Sequence, residues 1–301
     1  MSDRRGGLLG LLVGDALGVP YEFHAPEDLP QRLTMEPPVG FRRAHVGTPP
    51  GTWSDDGAQA LCLLASLVER GSLDLEDFAR RLQNWRDVGY MAVDGRVFDI
   101  GNQTALALER LGMGVAPEAA GGAGEWDNGN GSLMRVLPLA LWHAGSDAEL
   151  VRDAELQSLP THAHPRSQVC CALYCLWARA LLGGASLEAG WSDAVARLDA
   201  LYTARPAFRQ ELQQHVLPAR SPAGSGYVVD TLWGVRESLL GTDSFEAAVL
   251  AAIKLGNDTD TTACIAGGLA GIVYGEAAIP AEWLSALRGR ALVDPLLDAL
   301  G

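Results

Sequence analysis

The sequence has no excess of basic residues, no thiolate spacing suited to zinc, no long apolar run and no sustained strand alternation. Lys and Arg number 23 against 37 Asp and Glu, leaving a net charge of −14. That balance excludes the electrostatic footprint of a nucleic-acid binder. The five cysteines (Cys62, Cys170, Cys171, Cys175, Cys264) sit in apolar, helix-like stretches. An odd number of scattered thiols points to a reducing cytoplasm. Arg4-Arg5 followed by Leu8–Val13 imitates a secretory leader, but the apolar run is short and Asp15 stops it. No stretch is long enough to span a membrane. Gly- and Pro-rich breaks at 112–125 and 217–226 do not read as domain linkers, because like acidic clusters lie outside both. One all-α domain over 1–301 is the reading.

What is present favours helices. The hydrophobic share of 48% is ample for a core. Helical patterns rich in Ala, Leu, Arg and Glu fall at about 58–69, 74–87, 103–111, 132–143, 147–157, 166–182, 187–201, 227–240, 244–255, 261–275 and 281–288. Gly6, Gly10, Gly14 and Gly18 recur every four residues, as do Gly267, Gly271 and Gly275. That period puts small residues on one helix face and lets backbones approach. Either the two rows meet each other, bringing Asp15 and Glu22 near Asp258 and Asp260, or each meets a different bulky helix. The Pro- and Gly-rich segment from Phe23 to Trp53 is long for a compact domain and is expected to act as a lid.

Two acidic clusters carry the chemistry. Asn257-Asp258-Thr259-Asp260-Thr261-Thr262 precedes an apolar run without a charge up to Gly275. Polar side chains at the mouth of a buried helix are costly unless something coordinates them. Asp258, Asp260 and Thr261 offer hard oxygen ligands that suit Mg²⁺, Ca²⁺ or Mn²⁺ rather than zinc. Ser54, Asp55 and Asp56 repeat that composition ahead of another helix. Each cluster alone reads equally well as an N-cap with first-turn acids. Two of them exceed what capping needs, and a shared di-metal site is expected. Other polar points sit before helices: Asp99–Thr104, Asp127–Arg135, Thr161-His162-Ala-His164, and Ser225-Gly-Tyr227. Taken singly, each reads as a turn, a cap or core packing.

Taken together, they resemble a known family. Gly14-Asp-Ala-Leu-Gly-Val-Pro-Tyr-Glu-Phe23, Ser54-Asp-Asp56, Asp99-Ile-Gly-Asn102, Gly129-Asn-Gly-Ser-Leu-Met-Arg135, Thr161-His162, Gly226-Tyr227 and Asp258-Thr-Asp-Thr261 follow the order of the ADP-ribosylglycohydrolases. The resemblance is to the branch acting on dinitrogenase reductase. It spans residues 6 to 275. It implies an all-α orthogonal multi-helix bundle with two divalent cations, Mg²⁺ or Mn²⁺, in a cleft. Ser54, Asp55, Asp56, Asp258, Asp260 and Thr261 match the metal ligands. Asp99 and Asn102 match active-site positions and Glu22 matches a carboxylate beside the cleft; either Asp99 or Glu22 could serve as acid or base. Asn130, Gly131, Ser132 and His162 would hold ADP-ribose, with phosphate on backbone N–H groups at a helix start and adenine stacked on Tyr227. Gly57 stands where the family has Thr, and Asn257 and Thr262 also depart from its usual residues.

The implied activity is hydrolysis of the glycosidic bond joining ADP-ribose to a protein side chain, arginine or serine, or to a related small conjugate. Nucleic acid would enter only as a modified end, and a monomer is expected. Cleavage at an anomeric carbon passes through an oxocarbenium-like state assisted by carboxylates. Two rivals compete with this reading: a binuclear ureohydrolase, which would need an α/β sheet, and a non-catalytic ADP-ribose binder or crystallin-like relative, which would not need every ligand kept.

Overall fold

The computed structural model describes residues 3–300, and among them there is no β-sheet. Fifteen α-helices follow one another: α1 (Arg4–Gly18), α2 (Asp55–Arg70), α3 (Leu75–Val88), α4 (Asn102–Gly112), α5 (Pro117–Ala120), α6 (Leu137–Trp142), α7 (Asp147–Leu156), α8 (Pro165–Leu182), α9 (Leu187–Leu201), α10 (Pro206–Glu211), α11 (Val228–Leu240), α12 (Phe245–Ile253), α13 (Thr259–Tyr274), α14 (Ala281–Ala286) and α15 (Arg290–Leu300). Several of their starts carry an ordinary side-chain cap. Asp3 caps α1, Ser54 caps α2, and Ser146 with Glu149 forms a capping box on α7. The apolar faces merge into one continuous core, in which α1, α2, α8 and α13 are almost wholly buried.

The pair α1–α13 organises the rest. A Cβ added to Gly10 would lie 2.2 Å from the carbonyl oxygen of Gly267, one on Gly14 2.1 Å from that of Ala263, and one on Gly271 2.0 Å from that of Gly6. No side chain fits there, so the two backbones touch. The pairs run in opposite directions along the chain, so the helices are antiparallel. The two glycine rows therefore do meet each other. The consequence is positional: Gly18, at the end of α1, lies against Asp260 at the start of α13. The Asp15 carboxylate then accepts the N–H groups of Ser54 (2.9 Å) and Gly57 (2.8 Å), fixing the start of α2 to the same point.

Several boundaries differ from the sequence pattern. The helix expected from 132 begins at Leu137, because residues 131–135 form tight turns instead. Helices α5, α10 and α15 were not expected. The first two are four and six residues long, and the third contains Pro295. Much of the segment from Phe23 to Trp53 is anchored: Leu33, Met35, Thr48, Thr52 and Trp53 are buried, and the Tyr21 hydroxyl bonds both backbone groups of Thr34 at 2.8 Å.

Candidate metal and ADP-ribose site

The starts of α2 and α13 form the floor of a cleft of about 420 Å³. They are joined directly, since the Thr261 hydroxyl donates to Asp56 Oδ1 (3.3 Å). Ser54 Oγ accepts the Asp56 N–H (3.3 Å), and Asp260 Oδ1 accepts the Thr261 N–H (2.9 Å). The remaining carboxylate oxygens are the informative ones. Oδ2 of Asp56 and Oδ2 of Asp260 are buried and have no hydrogen-bond partner. An orphaned buried carboxylate oxygen is costly. Burial, reinforced by neighbouring carboxylates, pushes Asp55, Asp56 and Asp260 well above the usual carboxylate range. Glu22, Asp258 and Asp260 also bring ligand atoms within 4.8 Å of one another. An all-oxygen, multiply acidic, under-partnered pocket fits a hard divalent cation. At α2, Ser54 acts as the N-cap, and that role does not exclude it as a ligand. At α13, Asp258 makes no side-chain cap bond.

The floor is braced from below. The Gln59 amide donates to Asp55 Oδ2 (3.0 Å), and Gln59 Oε1 accepts from Arg135 Nη1 (2.8 Å). Arg135 is fully buried and also donates to the Gln157 backbone carbonyl (2.9 Å). This guanidinium therefore supports the floor rather than meeting a phosphate. The Asn130 amide donates to Asp258 Oδ2 (2.6 Å), orienting it.

The rim joins Glu22, Asp99 and His45. Glu22 is buried, and Oε2 lies 2.5 Å from His45 Nε2. The same imidazole nitrogen is 3.7 Å from Asp99 Oδ1. Burial, then the charges of Asp99, Asp258 and Asp55, pushes the Glu22 carboxyl up to about 11. The two residues expected to act as acid or base thus share one histidine. His45 was not foreseen. It lies in a segment without periodicity, and only the fold returns it to the cleft.

The nucleotide residues divide. Asn102, Asn130, Gly131 and His162 line the cleft. Burial, aided by the Arg135 charge, drives the His162 imidazole down to about 3, so it is neutral, and Nδ1 pairs with the Thr161 hydroxyl (2.8 Å). Ser132 does not line the cleft. It is fully buried, and its hydroxyl meets Ser158 Oγ (2.8 Å) and Cys171. Residues 130–132 are a turn rather than a helix start, and the Asn130 N–H is already given to the Gly226 carbonyl (3.0 Å). The helix dipole invoked for phosphate is therefore absent at that turn. Tyr227 lines an adjoining hollow of about 540 Å³ with Trp126, Asn128 and Arg166, and this hollow shares Gln103, Gly129 and Gly226 with the main cleft.

An all-helical fold with this site defines a class, and comparison with known proteins agrees. The pattern of the ADP-ribosylglycohydrolase family matches residues 2–301. The chain belongs to the ADP-ribosylglycohydrolase family, whose relatives are ADP-ribosyl hydrolases. It is 33% identical to the ADP-ribosylarginine hydrolase Tri1 of Serratia proteamaculans, over 98% of this chain and 78% of that protein. It is 32% identical to the ADP-ribosyl-[dinitrogen reductase] glycohydrolase of Rhodospirillum rubrum, over 98% and 96% respectively. A solved ADP-ribosylglycohydrolase-related protein complex superposes with a TM-score of 0.78 at 34% identity, covering 99% of this chain and 96% of that one. The ureohydrolase reading falls with the absence of a sheet among the described residues. Among the described residues no helix is long and apolar enough to cross a membrane.

Proposed function

We propose that this protein is a divalent-cation-dependent hydrolase that releases ADP-ribose from arginine side chains of modified proteins. The observation that carries the reading is the joining of two acidic helix starts, with two buried carboxylate oxygens left unpartnered, beneath a carboxylate-rich rim. The arginine linkage is favoured by the rim. Asp99 presents a carboxyl group and Glu22 an acceptor oxygen where the acceptor would lie, and a guanidinium offers N–H donors to both at once.

Ser54, Asp55, Asp56, Asp258, Asp260 and Thr261 would hold two cations, Mg²⁺ or Mn²⁺. When bound, such ions would supply Lewis-acid contacts for ribose hydroxyls and a water of lowered pKa. The remaining work falls to the chain. Asn130 holds Asp258 in orientation, and the Gln59–Arg135 brace does the same for Asp55. Asp99 or Glu22 moves the proton between water and the leaving nitrogen, and their shared contact to His45 sets the geometry between them. Asn102, Gly131 and His162 shape the ribose and diphosphate side, while Ser132 supports the turn from beneath. Tyr227 and Trp126 offer aromatic faces to adenine in the adjoining hollow. The five free, buried cysteines fit a cytoplasmic setting, and the reading takes a monomer as the working unit.

The test is to incubate the purified protein with arginine-linked, serine-linked and O-acetyl ADP-ribose side by side, with Mg²⁺ or Mn²⁺. ADP-ribose release chiefly from the arginine conjugate supports the reading. Release only from an oxygen-linked conjugate overturns the acceptor assignment.

A further inference from the structure

Phe23 is the residue of the cleft that local rules explain least. It follows Glu22 directly and lines the same cleft, yet its side chain is largely in water, with 70% of the residue exposed. Its backbone is left-handed, with φ of 64°. That conformation is uncommon outside glycine, Asn and Asp, and an aromatic residue has no local hydrogen bond to offset it. The strain is held by a reciprocal clasp. The Phe23 N–H donates to the Asn257 carbonyl (2.7 Å), and the Asn257 N–H donates to the His24 carbonyl (2.6 Å). Asn257 is itself left-handed at φ 56° and directly precedes Asp258. The clasp therefore ties the ring's position to the metal-ligand cluster. The ring leans on His45 (centroids 5.6 Å apart), which in turn leans on Phe98 (5.0 Å). The result is an aromatic wall that ends at the mouth of the cleft, beside the Glu22 and Asp99 carboxyl groups. Burial in the free protein does not explain the ring, since it is exposed. Nor does backbone preference, since that opposes it.

We propose that Phe23 is a specificity-determining residue whose exposed ring stacks on the guanidinium of the acceptor arginine. This rests on the arginine reading of the same site. A planar cation on an aromatic face, with carboxyl groups at its edge, satisfies both its charge and its flat, weakly hydrated surfaces. An O-linked acceptor such as an acetyl ester or a serine has neither, so the ring would give it little.

The test compares wild type with Phe23→Ala, Phe23→Gly and Phe23→Tyr. Glycine keeps the left-handed backbone without strain, so it separates loss of the ring from loss of the turn. Three readouts are taken in Mn²⁺: hydrolysis of ADP-ribosylarginine, hydrolysis of O-acetyl ADP-ribose, and ADP-ribose affinity by calorimetry. The Ala and Gly variants are expected to lose about 5- to 30-fold in kcat/KM on the arginine conjugate. That corresponds to a cation–π contact of about 1–2 kcal/mol at tenfold per 1.4 kcal/mol. The Tyr variant should match wild type, and neither O-acetyl hydrolysis nor ADP-ribose affinity should move by more than about twofold. Unchanged kcat/KM in both Ala and Gly overturns the proposal. So does an equal loss in ADP-ribose affinity, which would place the ring on the nucleotide. If wild type itself fails to cleave the arginine conjugate, the parent reading has failed and this one goes with it.

Discussion

The floor and the rim of the cleft are built on different principles. The floor is a product of regular structure: two helix starts brought together by backbone contact between α1 and α13, braced by Asp15, Gln59 and Arg135. The rim is a product of irregular structure: Glu22, Phe23, His45 and Asp99 lie outside the α-helices, and the last three have positive φ. The floor concentrates carboxyl groups where water is excluded, and the rim sets the exposed Phe23 and the part-buried His45 and Asp99 beside the buried Glu22. A binder of cations needs a rigid, over-determined floor. A discriminator of acceptors needs a rim that can be altered without disturbing it.

The comparison orders the expected effects. The largest belongs to the floor. Asp56→Asn or Asp258→Asn should lower kcat/KM by about 10³-fold or more, since ligand loss removes several kcal/mol of charge stabilisation. Steady-state hydrolysis, with a melting curve to show the fold retained, checks this. Next is the contact that assembles the floor. Gly10→Ala places a methyl 2.2 Å from a backbone carbonyl that has no rotamer to yield. It should cost about 3 kcal/mol or more, at the upper end of overpacking effects, read by chemical denaturation. Gly101→Ala, at a position with open space around it, is the control and should change little. The rim comes third. His45→Ala should lower kcat about tenfold with KM nearly unchanged, as is usual at the low end for an outer partner that orients a working group. A fall in metal affinity equal to the fall in kcat would instead make His45 part of the floor.

The smallest effect is on metal-free stability against pH. Burial raises Asp15 to about 7 and holds Asp55, Asp56 and Asp260 well above the usual carboxylate range. Folded-state pKa values above the unfolded ones mean that the folded chain binds more protons. Their contribution is intact below about pH 4, near the unfolded carboxylate value, and declines as pH rises through about 7 and beyond. Metal-free protein should therefore melt higher at pH 5.5 than at pH 8, and saturating Mn²⁺ should reverse that order. Equal melting points without metal at both pH values would mean that the floor carboxylates are not held as described.

The same division explains what the sequence made legible. The floor was readable because helices obey periodicity: glycines every four residues marked the close-packing faces of α1 and α13, with their meeting one of two readings, and acids at two helix starts marked the clusters proposed as ligands. The rim was readable only in part. Glu22 and Asp99 sit within motifs, but nothing in the chain between Phe23 and Trp53 singles out His45, because contacts between irregular segments leave no period. Positive φ at Phe23 is invisible for the same reason, since residue type there predicts the opposite. Ser132 shows the converse case. The resemblance placed it among the residues that hold ADP-ribose, yet the turn buries its hydroxyl against Ser158. The turn also uses the Asn130 N–H that phosphate would have needed.

The central claim is that the joined clusters make this chain a cation-dependent ADP-ribosylarginine hydrolase. Its most direct test is ADP-ribose release from an arginine-modified protein, measured before chelation, after exhaustive chelation, and after Mn²⁺ or Mg²⁺ is restored. The account predicts release, then its loss, then its return. Release that survives chelation undiminished would contradict it.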